Sequence, residues 1–97
     1  MPLFLIERNF AEEVQLDDAG LEHIKHINDD EGIRWLFSFL SVDRRKTYCL
    51  YEAPNAEAIR LAARRLEVPA DVIIPVGTIP ISDFQVQQYA AALSTQA

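Results

Sequence analysis

The sequence predicts an α+β domain with the element order β-α-β-β-α-β, on three observations. Two runs rich in aromatic and β-branched residues, Ile33 to Val42 and Lys46 to Ala53, are separated only by the polar turn Asp43-Arg44-Arg45, which makes an antiparallel hairpin. A segment with helical spacing of apolar residues lies on each side of that hairpin. A further strand-like run lies beyond each helix, at Leu3 to Phe10 and at Val72 to Val76.

Leu3 to Phe10 is β-rich with two charges, Glu7 and Arg8, at its centre. Residues 11–16 read as a polar connection, after which Asp17 or Asp18 can accept the free N–H groups of a first helical turn. Leu21, Ile24, Ile27 and Asn28 then share one helix face, and Gly32 follows the acidic run Asn28-Asp29-Asp30-Glu31 as a C′ residue. Pro54 stops the third strand and Asn55 caps a second helix, whose stripe Ile59, Ala62, Ala63 and Leu66 leaves Arg60, Arg64 and Arg65 outside. Pro69 ends that helix. Pro75 lacks an N–H, so the fourth strand belongs at a sheet edge. Ser82-Asp83-Phe84-Gln85 resembles a capping box, and Val86, Tyr89, Ala90 and Leu93 repeat at helical spacing behind it. The expected organisation is one domain over residues 1–79 and a short helical extension over residues 80–97. Right-handed crossovers place the first two helices on one face of a four-stranded antiparallel sheet, a ferredoxin-like sandwich.

That arrangement leaves one sheet face bare. Simple alternation through the second strand puts Ile33, Trp35, Phe37 and Phe39 on one side and Leu36, Leu40 and Val42 on the other, so both sides are apolar. Two helices cover one side. An apolar face of that size is seldom left open by a monomer, which points to a homodimer with two-fold symmetry.

The composition narrows the partners. The chain has 97 residues, nine of them basic and fifteen acidic, for a formal net charge of −6. That balance argues against nucleic acid and against an anionic membrane, and it is compatible with a cation. Cys49 is the single cysteine, which excludes an intrachain disulfide and fits a reducing compartment. The opening Met1-Pro2-Leu3-Phe4-Leu5-Ile6 carries only a five-residue apolar run and no basic flank, so no signal segment is expected and the protein is placed in the cytoplasm.

Three constellations could carry chemistry. His23, His26 and Asp30 fall within a sector of about 60° at 100° per residue, opposite the apolar stripe of the first helix. Two imidazoles and a carboxylate one turn apart suit a borderline divalent ion such as nickel or zinc; a solvated helix face would carry the same residues. Glu7 sits mid-strand, where a charge must be paired or wet. It could line a cavity as a general base or a ligand, or form an ion pair with Arg34 or Lys46. Trp35, Tyr48, Cys49, Tyr51 and Glu52 form an aromatic wall with a few polar tips, the composition of a small-molecule pocket and equally of a dimer core. Cys49 has no basic residue in register beside it and reads as a small core residue. No phosphate-binding glycine loop, Cys-x-x-Cys, His-Glu-x-x-His or Gly-x-Ser-x-Gly occurs, so no enzymatic reaction is indicated.

The segment Arg34-Trp35-Leu36, the run Lys46-Thr47-Tyr48-Cys49-Leu50-Tyr51-Glu52-Ala53-Pro54-Asn55 and the following Glu57-Ala58-Ile59-Arg60 resemble a family of small bacterial nickel-binding proteins first described as a domain of unknown function. Phe4-Leu5-Ile6-Glu7-Arg8 and Val68-Pro69-Ala70-Asp71-Val72-Ile73 match its pattern as well, so the resemblance covers about residues 3–76. It implies a ferredoxin-like fold assembled as a dimeric α/β barrel, and a protein that binds nickel. The alternative drawn from the fold type is a small-molecule-binding protein or cofactor-free enzyme with a pocket near Glu7.

Overall fold

The chain folds as β1 (Leu3–Asn9), α1 (Asp18–Asp30), β2 (Arg34–Leu40), β3 (Lys46–Glu52), α2 (Ala56–Leu66) and β4 (Val72–Val76). The computed structural model describes residues 1–77 and Ile79; the expected third helix and the division at residue 80 lie outside the described residues. The sheet order is β2-β3-β1-β4, with every neighbouring pair antiparallel, which is the ferredoxin-like arrangement. Pro75 accordingly lies in an edge strand, where its missing N–H breaks no ladder.

Local chemistry sets the ends of the elements. The Asp17 carboxylate accepts from the Gly20 N–H at 2.7 Å and caps α1, and the Asn55 carbonyl accepts from the Ala58 N–H at 2.9 Å and caps α2. Gly32, with φ of 69°, makes the left-handed turn after α1 that a Cβ would strain. Helix α1 ends on Asp29 and Asp30 with no basic residue in its last turn, an unfavourable match to the helix dipole. Arg65 of α2 offsets this from across the interface. It donates to Glu31 at 2.7 Å and to Asp30 at 3.0 Å, and these two carboxylates hold its guanidinium above the usual arginine range.

The core lies between the helices and one sheet face. Phe4 and Ile6 of β1, Cys49 and Tyr51 of β3, and Ile59 and Ala62 of α2 are all buried. Helix α1 contributes Ile27 and Asn28, while Leu21 at its start is exposed.

Strand β2 departs from simple alternation. Trp35 pairs with Tyr51, but Phe37 pairs with Leu50, so Leu36 is the extra residue of a β-bulge. The shift moves Phe37 and Phe39 to the face opposite Trp35 and brings Ser38 and Leu40 to Trp35's side. The Trp35 indole N–H closes the bulge by donating to the Ser38 hydroxyl at 2.7 Å. The two-faced assignment made from periodicity is therefore corrected: Trp35 is separated from Phe37 and Phe39. The conclusion that both faces are apolar survives. The face away from the helices carries Leu5, Phe37, Phe39, Leu50 and Ile74, with Phe37 51% and Phe39 62% exposed.

Helix α2 ends in a Schellman turn. The Val68 N–H donates to the Ala63 carbonyl at 3.0 Å and the Glu67 N–H to that of Arg64 at 3.1 Å, with Glu67 in the left-handed region at φ of 56°. A non-glycine residue is strained there. Glu67→Gly is expected to stabilise the protein by about 0.5–1 kcal/mol, the strain relief exceeding the added unfolded-state entropy. In a thermal melt this would appear as a rise in Tm of about 2–8 °C, and an unchanged or lower Tm would show that Glu67 is not strained.

Candidate functional site

Alternation along β1 directs Phe4, Ile6 and Arg8 toward the helices and Leu5 and Glu7 away from them. Arg8 is thus carried into the helix side of the sheet on a central strand, and only 6% of it is exposed. Its guanidinium donates to the Pro69 carbonyl at 2.6 Å and to the Tyr51 hydroxyl at 3.4 Å, and lies 5.9 Å from the Tyr51 ring centroid. Trp35 extends this wall, its ring centroid 6.3 Å from that of Tyr51.

Arg8, Trp35, Thr47, Cys49 and Tyr51 form the floor of a cavity of about 250 Å³ between the sheet and α1. Ile24 of α1 covers it, and Leu66 and Val68 close it at the end of α2. The remaining wall comes from the connection after β1, read in the sequence as polar. Phe10, Val14 and Leu16 supply apolar surface there. The connection is pinned to the hairpin turn: the Phe10 N–H donates to the Arg45 carbonyl at 2.8 Å and the Val14 N–H to that of Arg44 at 2.7 Å. The Arg44 side chain returns a bond to the Val14 carbonyl at 2.7 Å. A second hollow of about 640 Å³ lies beyond Trp35, lined by Leu21, Lys25, Asn28 and Ile33 among others. The buried Asn28 amide nitrogen has no hydrogen-bond partner among the described residues.

Of the wall residues read from the sequence, Trp35, Cys49 and Tyr51 border the 250 Å³ cavity. Glu7, Tyr48 and Glu52 are on the opposite face. Glu7 pairs with Lys46 at 3.3 Å and Glu52 with Arg34 at 3.9 Å. The Glu7 carboxylate accepts from the Lys46 ammonium and holds it above its ordinary range. Cys49 is buried, its thiol 3.7 Å from the Thr47 hydroxyl.

Helix α1 places His23 and His26 in solvent, with the His26 Nε2 3.8 Å from the Asp30 carboxylate. Asp30 is already engaged by Arg65. Among the described residues no group of three or more His, Cys, Asp and Glu side chains is placed to hold a metal ion. Imidazole nitrogens suit nickel, but within one chain two imidazoles and a committed carboxylate do not complete its ligand set.

Alternation separates Arg8 from Glu7, but the two faces of β1, Phe4-Ile6-Arg8 and Leu3-Leu5-Glu7, are equally apolar in sequence, so only the packing of the helices marks Arg8 as the buried charge.

Burial pushes the Tyr51 phenol above the ordinary tyrosine range, against a smaller opposing pull from the Arg8 cation. A raised folded-state pKa makes the folded protein the better proton binder. This contribution is complete below the unfolded phenol value, near 10, and is lost as pH rises through the folded one. An ultraviolet phenolate titration of the three tyrosines should therefore show a late step that Tyr51→Phe removes; an unaltered curve in that variant would place the late step elsewhere.

Among the described residues no helix is long and apolar enough to cross a membrane. No curated protein matches the sequence. The crystal structure of SCO4226 from Streptomyces coelicolor A3(2) superposes with a TM-score of 0.62 at 22% identity, over 82% of this chain and 98% of that one. The family described as nickel responsive protein SCO4226-like matches residues 4–76, most of the length of the chain. The chain belongs to the SCO4226-like family of nickel-responsive proteins.

Proposed function

We propose that the protein is a nickel-binding homodimer, in which two copies meet through the open sheet face and the ion is held at the solvent-facing histidines of α1. The open face carries the reading. Phe37 and Phe39 stack edge to face there with centroids 5.5 Å apart, both largely exposed, beside Leu50 and Ile74. Ion pairs edge the patch: Arg34 with Glu52 toward one end of the strands, and Glu7 with Lys46 toward the other. An apolar centre with a polar rim is the composition of a protein interface, and a second copy offers the same surface in return.

The family description and the solvent-facing His23 and His26 support nickel as the ion. One chain supplies two imidazoles. Both face solvent on the side of the molecule away from the open sheet face, so water completes the coordination there and metal binding is separate from dimer formation.

Sedimentation at micromolar concentration is expected to give a dimer, and Phe37→Glu a monomer that remains folded by circular dichroism. A wild-type monomer would reject the assembly. Calorimetric titration of tag-free protein with nickel is expected to show binding that falls at least tenfold in the double variant His23→Ala/His26→Ala. Unchanged affinity in that variant would remove the α1 histidines from the site, and absence of any heat would remove nickel itself.

A further inference from the structure

We propose that the cavity beneath α1 binds a small organic monocarboxylate, its carboxylate on the Arg8 guanidinium and its apolar body against Val14, Ile24 and Trp35. The proposal is independent of the nickel reading, because the cavity lies on the helix side of the sheet and contains neither histidine.

The leading observation is a buried positive charge with no counter-charge. Arg8 is more than nine-tenths buried, and the two oxygens it meets, the Pro69 carbonyl and the Tyr51 hydroxyl, are neutral. Among the described residues no carboxylate lies within ion-pair distance of it. Burying a cation in this way is costly unless something anionic joins it. A guanidinium presents five N–H donors, and these two bonds leave donors free.

The rest of the cavity points the same way. Among the described residues its lining includes a second guanidinium, Arg44, and no Asp, Glu or His, although the whole chain carries a net charge of −6. Local sign opposed to global sign is the arrangement that selects an anion. The Tyr51 hydroxyl accepts from Arg8, and burial holds the phenol in its neutral form. The planar guanidinium fork matches a carboxylate in charge and geometry. Inorganic phosphate matches the fork but not the apolar walls. At about 250 Å³ the cavity falls just under the usual range of ligand pockets, which points to a small apolar body.

Trp35 is the single tryptophan and borders the cavity, so its fluorescence reports occupancy directly. Metal-free protein would be titrated with hexanoate, octanoate and 3-phenylpropanoate, with the matching primary amides and inorganic phosphate as controls. At least one carboxylate is expected to give a saturable change, with its amide at least tenfold weaker and phosphate without saturation. Arg8→Met should abolish the response. Should that variant fail to fold, Val14→Phe fills the cavity from the exposed connection with Arg8 intact, and it should lose the response as well. The proposal is overturned if no carboxylate saturates by about 10 mM, the limit of specific weak binding. Equal affinity for acid and amide, preference for phosphate, or full response in the folded variants would overturn it too.

Discussion

One extra residue in β2 governs both surfaces of this sheet. Leu36 has no partner of its own on β3, so every residue after it exchanges faces relative to strict alternation. Trp35 stays with the helices, where it stacks near Tyr51 and borders both hollows. Phe37 and Phe39 go to the other side, where they pair across from Leu50 and Tyr48. Had β2 run without the bulge, the two phenylalanines would have followed Trp35 toward α1. The open face would then lose its aromatic centre. The hydrogen bond from the Trp35 indole to Ser38 satisfies a polar side chain on each side of the irregularity and fixes its position.

The two faces are built on opposite electrostatic plans. On the open face each charge has its partner, Glu7 with Lys46 and Arg34 with Glu52, and the pairs are exposed enough to be worth little alone. Their value lies in keeping the strand ends wet while the centre stays apolar. On the helix face Arg8, the one buried charge among the described residues, is bound only to neutral oxygens. Its bond to the Pro69 carbonyl also ties β1 to the segment between α2 and β4, so the residue has a structural part whatever the cavity holds. The same guanidinium borders the cavity.

Local chemistry was the legible portion of the fold. Asn55, Asp17 and Gly32 mark helix ends because a cap or a left-handed turn requires particular side chains at single positions. The element order followed from spacing in the same way, and Pro75 identified an edge strand. The bulge was not legible, because Trp35-Leu36-Phe37-Ser38-Phe39 contains no glycine or proline and alternates large residues through the site of the shift. The connection of residues 11–16 was misread for a related reason: Glu12, Glu13 and Gln15 dominate its composition, while Val14 and Leu16 do the covering. Arg8 stood beside Glu7 in the sequence as one charged pair, and only the face each takes separates an exposed ion pair from a buried cation.

The acidic balance of the chain acquires a different meaning once the charges are placed. Asp29, Asp30 and Glu31 gather at the end of α1, where the helix dipole disfavours them and Arg65 is recruited from α2 to hold two of the three. The cost is offset locally, and the carboxylate nearest His26 is withdrawn from service as a ligand unless Arg65 releases it. Metal binding at α1 would therefore compete with the contact that joins the two helices. The cavity beneath α1 is roofed by the same helix through Ile24. A change in how α1 sits on α2 reaches both places, so the helix that presents the histidines to solvent is also the cover over Arg8.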